Sequence, residues 1–165
     1  HQPGAEYPDG GATVEVWTVG AGQVGNFDYE RNPAYLMETE VLGPICTIAP
    51  GESSSFSLDW GACRCAGPVI AVTPAGCLSA PFTLQAQPQG YARITASGGV
   101  FEAGEIRLVW LDSQQQTVTT ETLGSVDPLT LITLDRIVKI SPQAAYADLR
   151  LVTQNKSLRL AFTSI

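Results

Sequence analysis

Four cysteines, one histidine and sixteen acids are the residues in this 165-residue chain best equipped for chemistry, and their spacing narrows what that chemistry is. Cys46, Cys63, Cys65 and Cys77 fall in one Gly-, Pro- and Ala-rich stretch. In a chain read as exported, they predict two disulfides. Neighbours one residue apart, such as Cys63 and Cys65, are badly placed to bridge each other, which leaves 46–63 with 65–77, or 46–65 with 63–77. A zinc knuckle needs wider pairs than Cys63-Arg64-Cys65. His1 is the only histidine, so a Ser–His–Asp or Cys–His arrangement would have to recruit it, and a copper brace would need a second one. The glycines from Gly20 to Gly25 have the spacing of a dinucleotide fingerprint but lack the helix that must follow. No acid sits in an apolar context that would equip it as a proton donor; Asp59, Asp112, Asp127 and Asp135 read as turn or outer-face residues. The expectation is a protein with no catalytic machinery and no cofactor.

Binding residues are a different matter. Asp28 and Glu30 are the calcium candidates, yet one short acidic cluster rarely supplies about six to eight oxygen ligands, so both read as turn residues and no metal is expected. Tyr91 and Arg93 alternate outward on one predicted strand, and Tyr146, Asp148 and Arg150 on another. If the two strands share a sheet, they make a Tyr/Arg/Asp platform on which a sugar ring can stack. The plainer reading is a solvated face with cross-strand ion pairs. Trp60 and Trp110 alternate with apolar neighbours and read as core. Asn155-Lys156-Ser157 is an N-glycosylation sequon in a predicted turn.

The elements that must position these residues are strands. Short runs with period two, cut by Gly, Pro, Asn and Asp, dominate the chain. Phe56, Leu58 and Trp60 face one way, as do Ala92, Ile94 and Ala96; Ile106, Leu108 and Trp110; Ala147, Leu149 and Leu151; and Leu158, Leu160 and Phe162. Any helix is a turn or two, near Pro33–Met37. This all-β rhythm predicts two packed antiparallel sheets. Nine Lys and Arg against sixteen acids give a net charge of −7, which opposes a phosphate backbone and excludes nucleic acid as an expected partner. No apolar run approaches the roughly 20 residues of a membrane span, and no basic block would hold the chain on anionic lipid. A start at His1 predicts a processed, secreted protein, extracellular or at the cell surface.

The second half of the chain carries a likeness. The segments "YARITASGG", "GEIRLVWLDSQQQTV", "LTLITLDRIVKISPQAAYADLRLV" and "KSLRLAFTSI", with "IAPGESSSFSLDW" ahead of them, resemble the carbohydrate-binding-module type of jelly roll in the galactose-binding-like superfamily. The resemblance implies a jelly-roll β-sandwich and a polysaccharide ligand. Asn26–Glu30 looks like that family's early Asn-x-Phe-acid motif, but Ser157–Ile165 lacks the acids of its usual calcium-holding last strand.

The N-terminus points elsewhere. Thr13, Val14, Glu15, Val16, Trp17, Thr18 and Val19 form a strand of strong β-propensity between glycine hinges. Such a strand can leave its own domain and complete a neighbour's sheet. The organisation expected is an N-terminal extension over 1–22 and a jelly-roll sandwich over 23–165. The function expected is a non-catalytic, self-assembling structural subunit of a filament or surface coat, whose partners are copies of itself. The alternative is a carbohydrate-binding module that grips polysaccharide on the Tyr91/Arg93/Tyr146/Asp148/Arg150 face.

Overall fold

A computed structural model describes residues 2–18, 22–31 and 37–165; His1 and Val19 lie outside them, as do residues 33–36 of the expected helical turn. The chain divides into two compact units, one ending at Leu58 and the other beginning at Asp59.

In the first unit, β1 (Val14–Thr18) precedes the two-residue strands β2 (Gln23–Val24) and β3 (Phe27–Asp28), which pair with each other, and β4 (Met37–Val41). The predicted N-terminal strand is therefore real over the described residues, and it has a partner in its own chain: β1 and β4 run antiparallel, from Val14 opposite Val41 to Thr18 opposite Met37. That register sets Glu15 against Glu40. Like charges directly opposite destabilise a strand pair. A hydrogen bond to Asp9 raises the Glu15 pKa above its ordinary 4.5, and the negative charges of Asp9 and Glu40 add to the shift. A carboxyl whose folded pKa is raised binds its proton more tightly in the folded state. The β1–β4 ribbon should therefore be fully stable below pH 4.5 and lose stability as pH rises through the raised value. Hydrogen exchange at β1 and β4 amides, corrected for intrinsic rate, should show this loss, and Glu15→Gln should flatten it.

The second unit is a two-sheet antiparallel β-sandwich. Its strands are β5 (Ala71–Thr73), β6 (Gly76–Gln87), β7 (Tyr91–Val100), β8 (Gly104–Leu111), β9 (Thr117–Val126), β10 (Ile132–Lys139), β11 (Tyr146–Val152) and β12 (Ser157–Ser164). One sheet has the order β10-β7-β6-β5 and the other β12-β11-β8-β9. Local chemistry explains the hairpins. Gln89 and Gly90 take positive φ (64° and 76°) in the tight turn from β6 to β7, where Gly is the cheapest occupant. Asp112 accepts backbone N–H bonds from Gln114 and Gln116, both 2.9 Å, and so closes the turn from β8 to β9.

The alternation predicted for β7, β8 and β11 holds. Ala92, Ile94 and Ala96 join Ile106, Leu108, Trp110, Ala147, Leu149 and Leu151 in one core between the sheets. Residues 53–60 differ: they form no strand, and Phe56, Leu58 and Trp60 are exposed. Period two shows that a segment can lie on a sheet but supplies no partner, and without ladder bonds the serines of 53–57 favour other backbone states.

Candidate functional site

The five residues of the expected sugar platform are split between the sheets. Tyr91 and Arg93 lie on β7, whereas Tyr146, Asp148 and Arg150 lie on β11, so no common face exists. Arg93 is held by Asp135 on β10, with Nε and Nη2 donating to the two carboxylate oxygens at 2.7 and 2.6 Å. That pairing raises the Arg93 pKa and lowers that of Asp135, as the plainer reading of this face anticipates.

On β11 the acid is not a solvent-facing group either. Asp148 is fully buried. Arg159 forks onto it, Nε to Oδ1 at 3.1 Å and Nη2 to Oδ2 at 2.9 Å, which raises the arginine's pKa. Arg150 donates to the same carboxylate at 3.4 Å and to the Ser157 carbonyl at 3.0 Å. Its Nε is buried without a partner among the described residues. Arg159 and Phe162 share this face only because a bulge shifts the β11–β12 register between Leu149 and Arg150. The guanidinium then sits 4.5 Å from the centre of the Phe162 ring, and Tyr146 stacks on that ring at 5.1 Å. The carboxylate of the cluster is already engaged by two guanidinium groups, and Arg150 Nε is the polar atom the cluster leaves without a partner among the described residues.

The cysteines also depart from expectation. All four are thiols, and neither predicted bridge is formed. Cys63 and Cys65 both face one partner, Cys77 at the start of β6. The Cys63 and Cys77 sulfurs are 3.4 Å apart, and Cys65 lies close enough to Cys77 and Ser79 for both to bear on its thiol. Burial pushes the Cys77 thiol up to about 12, and hydrogen bonds from the Gly67 backbone and Ser79 hold Cys65 below the ordinary thiol value.

Asp28 is a turn former: its Oδ1 accepts N–H bonds from Glu30 and Arg31, both 3.2 Å. No group of three or more His, Cys, Asp or Glu among the described residues is placed to hold a metal ion. No helix among them is long and apolar enough to cross a membrane. Asn155 lies exposed in the turn between β11 and β12.

A concave site does exist, in a place the alternation concealed. A cleft of about 540 Å³ opens where the β5–β6, β7–β8 and β11–β12 turns meet the segment that follows residue 58. Trp60, expected in the core, stands at this cleft 82% exposed. Its loop is fixed from beneath, because Gly61 lies flat on the Phe101 ring; a Cβ at 61 would come within 2.8 Å of the ring carbons. Phe101 also lines the cleft, together with Asp59, Thr73, Glu102 and Lys156, and Lys156 is ion-paired with Glu102. An exposed indole beside a second aromatic ring, ringed by a hydroxyl, two carboxylates and an ammonium, can stack a flat ligand and accept or donate hydrogen bonds around its edge. Asp59 and Glu102 are both exposed, not enclosed in the apolar surroundings that make a carboxyl a proton donor. Comparison of the chain with protein-family models, with curated proteins and with solved structures finds no match.

Proposed function

We propose that the sandwich is a non-catalytic, secreted carbohydrate-binding module that holds polysaccharide in the Trp60 cleft. The observation that carries this reading is the exposure of Trp60 over a cleft that sets a second aromatic ring, Phe101, and the apolar Val72, Pro74 and Leu158 beside the polar Asp59, Thr73, Glu102 and Lys156. A large indole left in water is unfavourable in a monomer unless something covers it, and the apolar face of a pyranose is a fitting cover. The polar ring of Asp59, Thr73, Glu102 and Lys156 suits the equatorial hydroxyls that such stacking leaves at the edge. The likeness of the second half of the chain to carbohydrate-binding jelly rolls agrees with it. Electrophoresis through gels containing soluble polysaccharides is the test. The intact chain should be retarded by at least one of them, and Trp60→Ala should weaken retention at least about tenfold, equivalent to about 1.4 kcal/mol, with the thermal midpoint unchanged. Tyr146→Ala and Arg93→Ala should be retarded like the parent. Free migration of the parent in every gel would overturn the reading.

A second reading, assembly through the N-terminal strand, draws on one observation of its own. Val14, Val16 and Trp17 on β1 and Met37 and Val41 on β4 are all exposed, and among the described residues the β1–β4 sheet has two strands, which gives β1 an open edge there. Open, apolar edges recruit further strands. Under this reading the protein is large in size-exclusion chromatography and fibrous in negative stain, and Trp17→Asp abolishes both. A monomer at micromolar concentration would overturn it.

A further inference from the structure

Cys63, Cys65 and Cys77 are brought together by a close approach of the chain at Gly99. Gly99 on β7 has no room for a side chain: a Cβ there would lie 2.2 Å from the Arg64 carbonyl oxygen and 2.9 Å from the Cys63 sulfur. Only glycine lets the 63–65 segment press this closely onto the strand, where Gly99 pairs with Cys77. From the other side the segment is anchored by the Arg64 N–H bond to the Pro128 carbonyl, 2.8 Å. Two thiols thereby address the same third one.

We propose that these three residues form a disulfide-exchange site, in which Cys77 is the shared partner and Cys63 and Cys65 compete for it. In the first step a low-molecular-weight disulfide is the oxidant. Cys63 and Cys77 give up two protons and two electrons, the Cys63–Cys77 bond forms, and the small disulfide is reduced to two thiols. In the second step the Cys65 thiolate attacks the Cys77 sulfur. The Cys65–Cys77 bond forms, the Cys63–Cys77 bond breaks, and the electron pair leaves on Cys63, which takes up the proton that Cys65 released to solvent. No net oxidation accompanies this step. The direction of attack follows from the surroundings. Cys65 is the thiol with the lowered pKa, so it supplies the nucleophile. Attack on Cys63 instead would expel Cys77, whose thiol sits near 12 and is a poor leaving group, and would join residues only two apart.

The chain itself makes the test direct. Cleavage after Arg31, Arg64 and Arg93 puts Cys46 and Cys63 on one tryptic peptide and Cys65 and Cys77 on the next. A Cys63–Cys77 bridge joins two peptides, whereas a Cys65–Cys77 bridge closes a loop within one. The intact chain is oxidised with oxidised glutathione, quenched in acid, alkylated and mapped by fragment mass spectrometry. We expect both isomers in one preparation, converging on a fixed ratio from either starting form. Cys65→Ser should leave only the 63–77 bridge and Cys63→Ser only the 65–77 bridge. In the reduced parent, Cys65 should react with iodoacetamide at least ~10-fold faster than Cys77. A single isomer that never exchanges, a Cys63–Cys65 bridge, a bridge from Cys46 to any of the three, or mixed disulfides with glutathione alone would each overturn the proposal. The measurements on the parent chain stand even if a serine variant fails to fold.

Discussion

Asp148→Ala is expected to destabilise the sandwich by about 3 kcal/mol, seen as a lowered urea midpoint with an unchanged slope. Removing one partner of a buried ion pair typically costs about 3–5 kcal/mol, because the other charge is left uncompensated. Here the abandoned groups are Arg159 and Arg150, and both guanidinium side chains keep partial access to water, 48% and 30% exposed, which places the loss at the lower end of that range. The register makes the position sensitive for a further reason. Arg150 lies directly opposite Arg107 on one side and Arg159 on the other, a row of three like charges across adjacent strands. Glu105 pairs with Arg107, at 2.7 Å, and among the described residues Asp148 is the one carboxylate that pairs with the other two. Asp148→Asn, which keeps the shape and drops the charge, should fall between parent and Ala. A loss under about 1 kcal/mol for Asp148→Ala would mean that the carboxylate is not the keystone of this face.

Gly98→Ala is expected to be at least as damaging, although it adds a single methyl group. A Cβ at 98 would lie 2.1 Å from the Cys77 carbonyl oxygen and 3.1 Å from Cys77 C and Leu78 Cα. All three are backbone atoms of the paired strand, and nothing there can rotate aside. The β6–β7 ladder must separate locally, next to Val100 and Leu78 in the core. Ordinary overpacking costs about 1–3 kcal/mol, and a backbone obstacle puts this substitution at or above the upper end. A urea midpoint within error of the parent's would contradict the close approach of β6 and β7. Neither Asp148 nor Gly98 lines the Trp60 cleft.

The fold was legible wherever one face of a strand is buried and the other is wet. Ala92, Ile94 and Ala96, or Ala147, Leu149 and Leu151, announce themselves by strict alternation, and each lies in the core. On the outer face the pattern fails for physical reasons. Val109 and Leu111 point away from the core yet are buried, opposite Asp148 and Tyr146 in the register, and a hydrophobic residue on each face erases the alternation. Phe162 continues the inward series of Leu158 and Leu160 in the sequence, but the bulge turns it outward beside Arg159. Bulges leave no trace in a period-two count. The cleft was the least legible part. Trp60 ends an alternating run that finds no partner strand, so its apparent core position belongs to a strand that does not form. Phe101, Glu102 and Lys156 reach the cleft from turns far apart in sequence, and only the topology of the sandwich joins them. The cysteines were readable as a cluster, because their spacing is local, whereas the convergence of two of them on Cys77 depends on a glycine more than thirty residues away from Arg64.

Tryptophan emission offers the most direct measurement of the carbohydrate reading, since the three indoles occupy distinct surroundings. Trp110 is buried at 1% exposure, Trp17 lies on β1, and Trp60 stands at the cleft. Titration of the intact chain with cello-, xylo- and laminari-oligosaccharides should shift the emission in a saturable way with at least one of them. Trp17→Phe should keep that shift, and Trp60→Phe should lose it while binding weakly or not at all. No saturable shift with any oligosaccharide, or a shift that survives Trp60→Phe and disappears in Trp17→Phe, would contradict the assignment of the cleft.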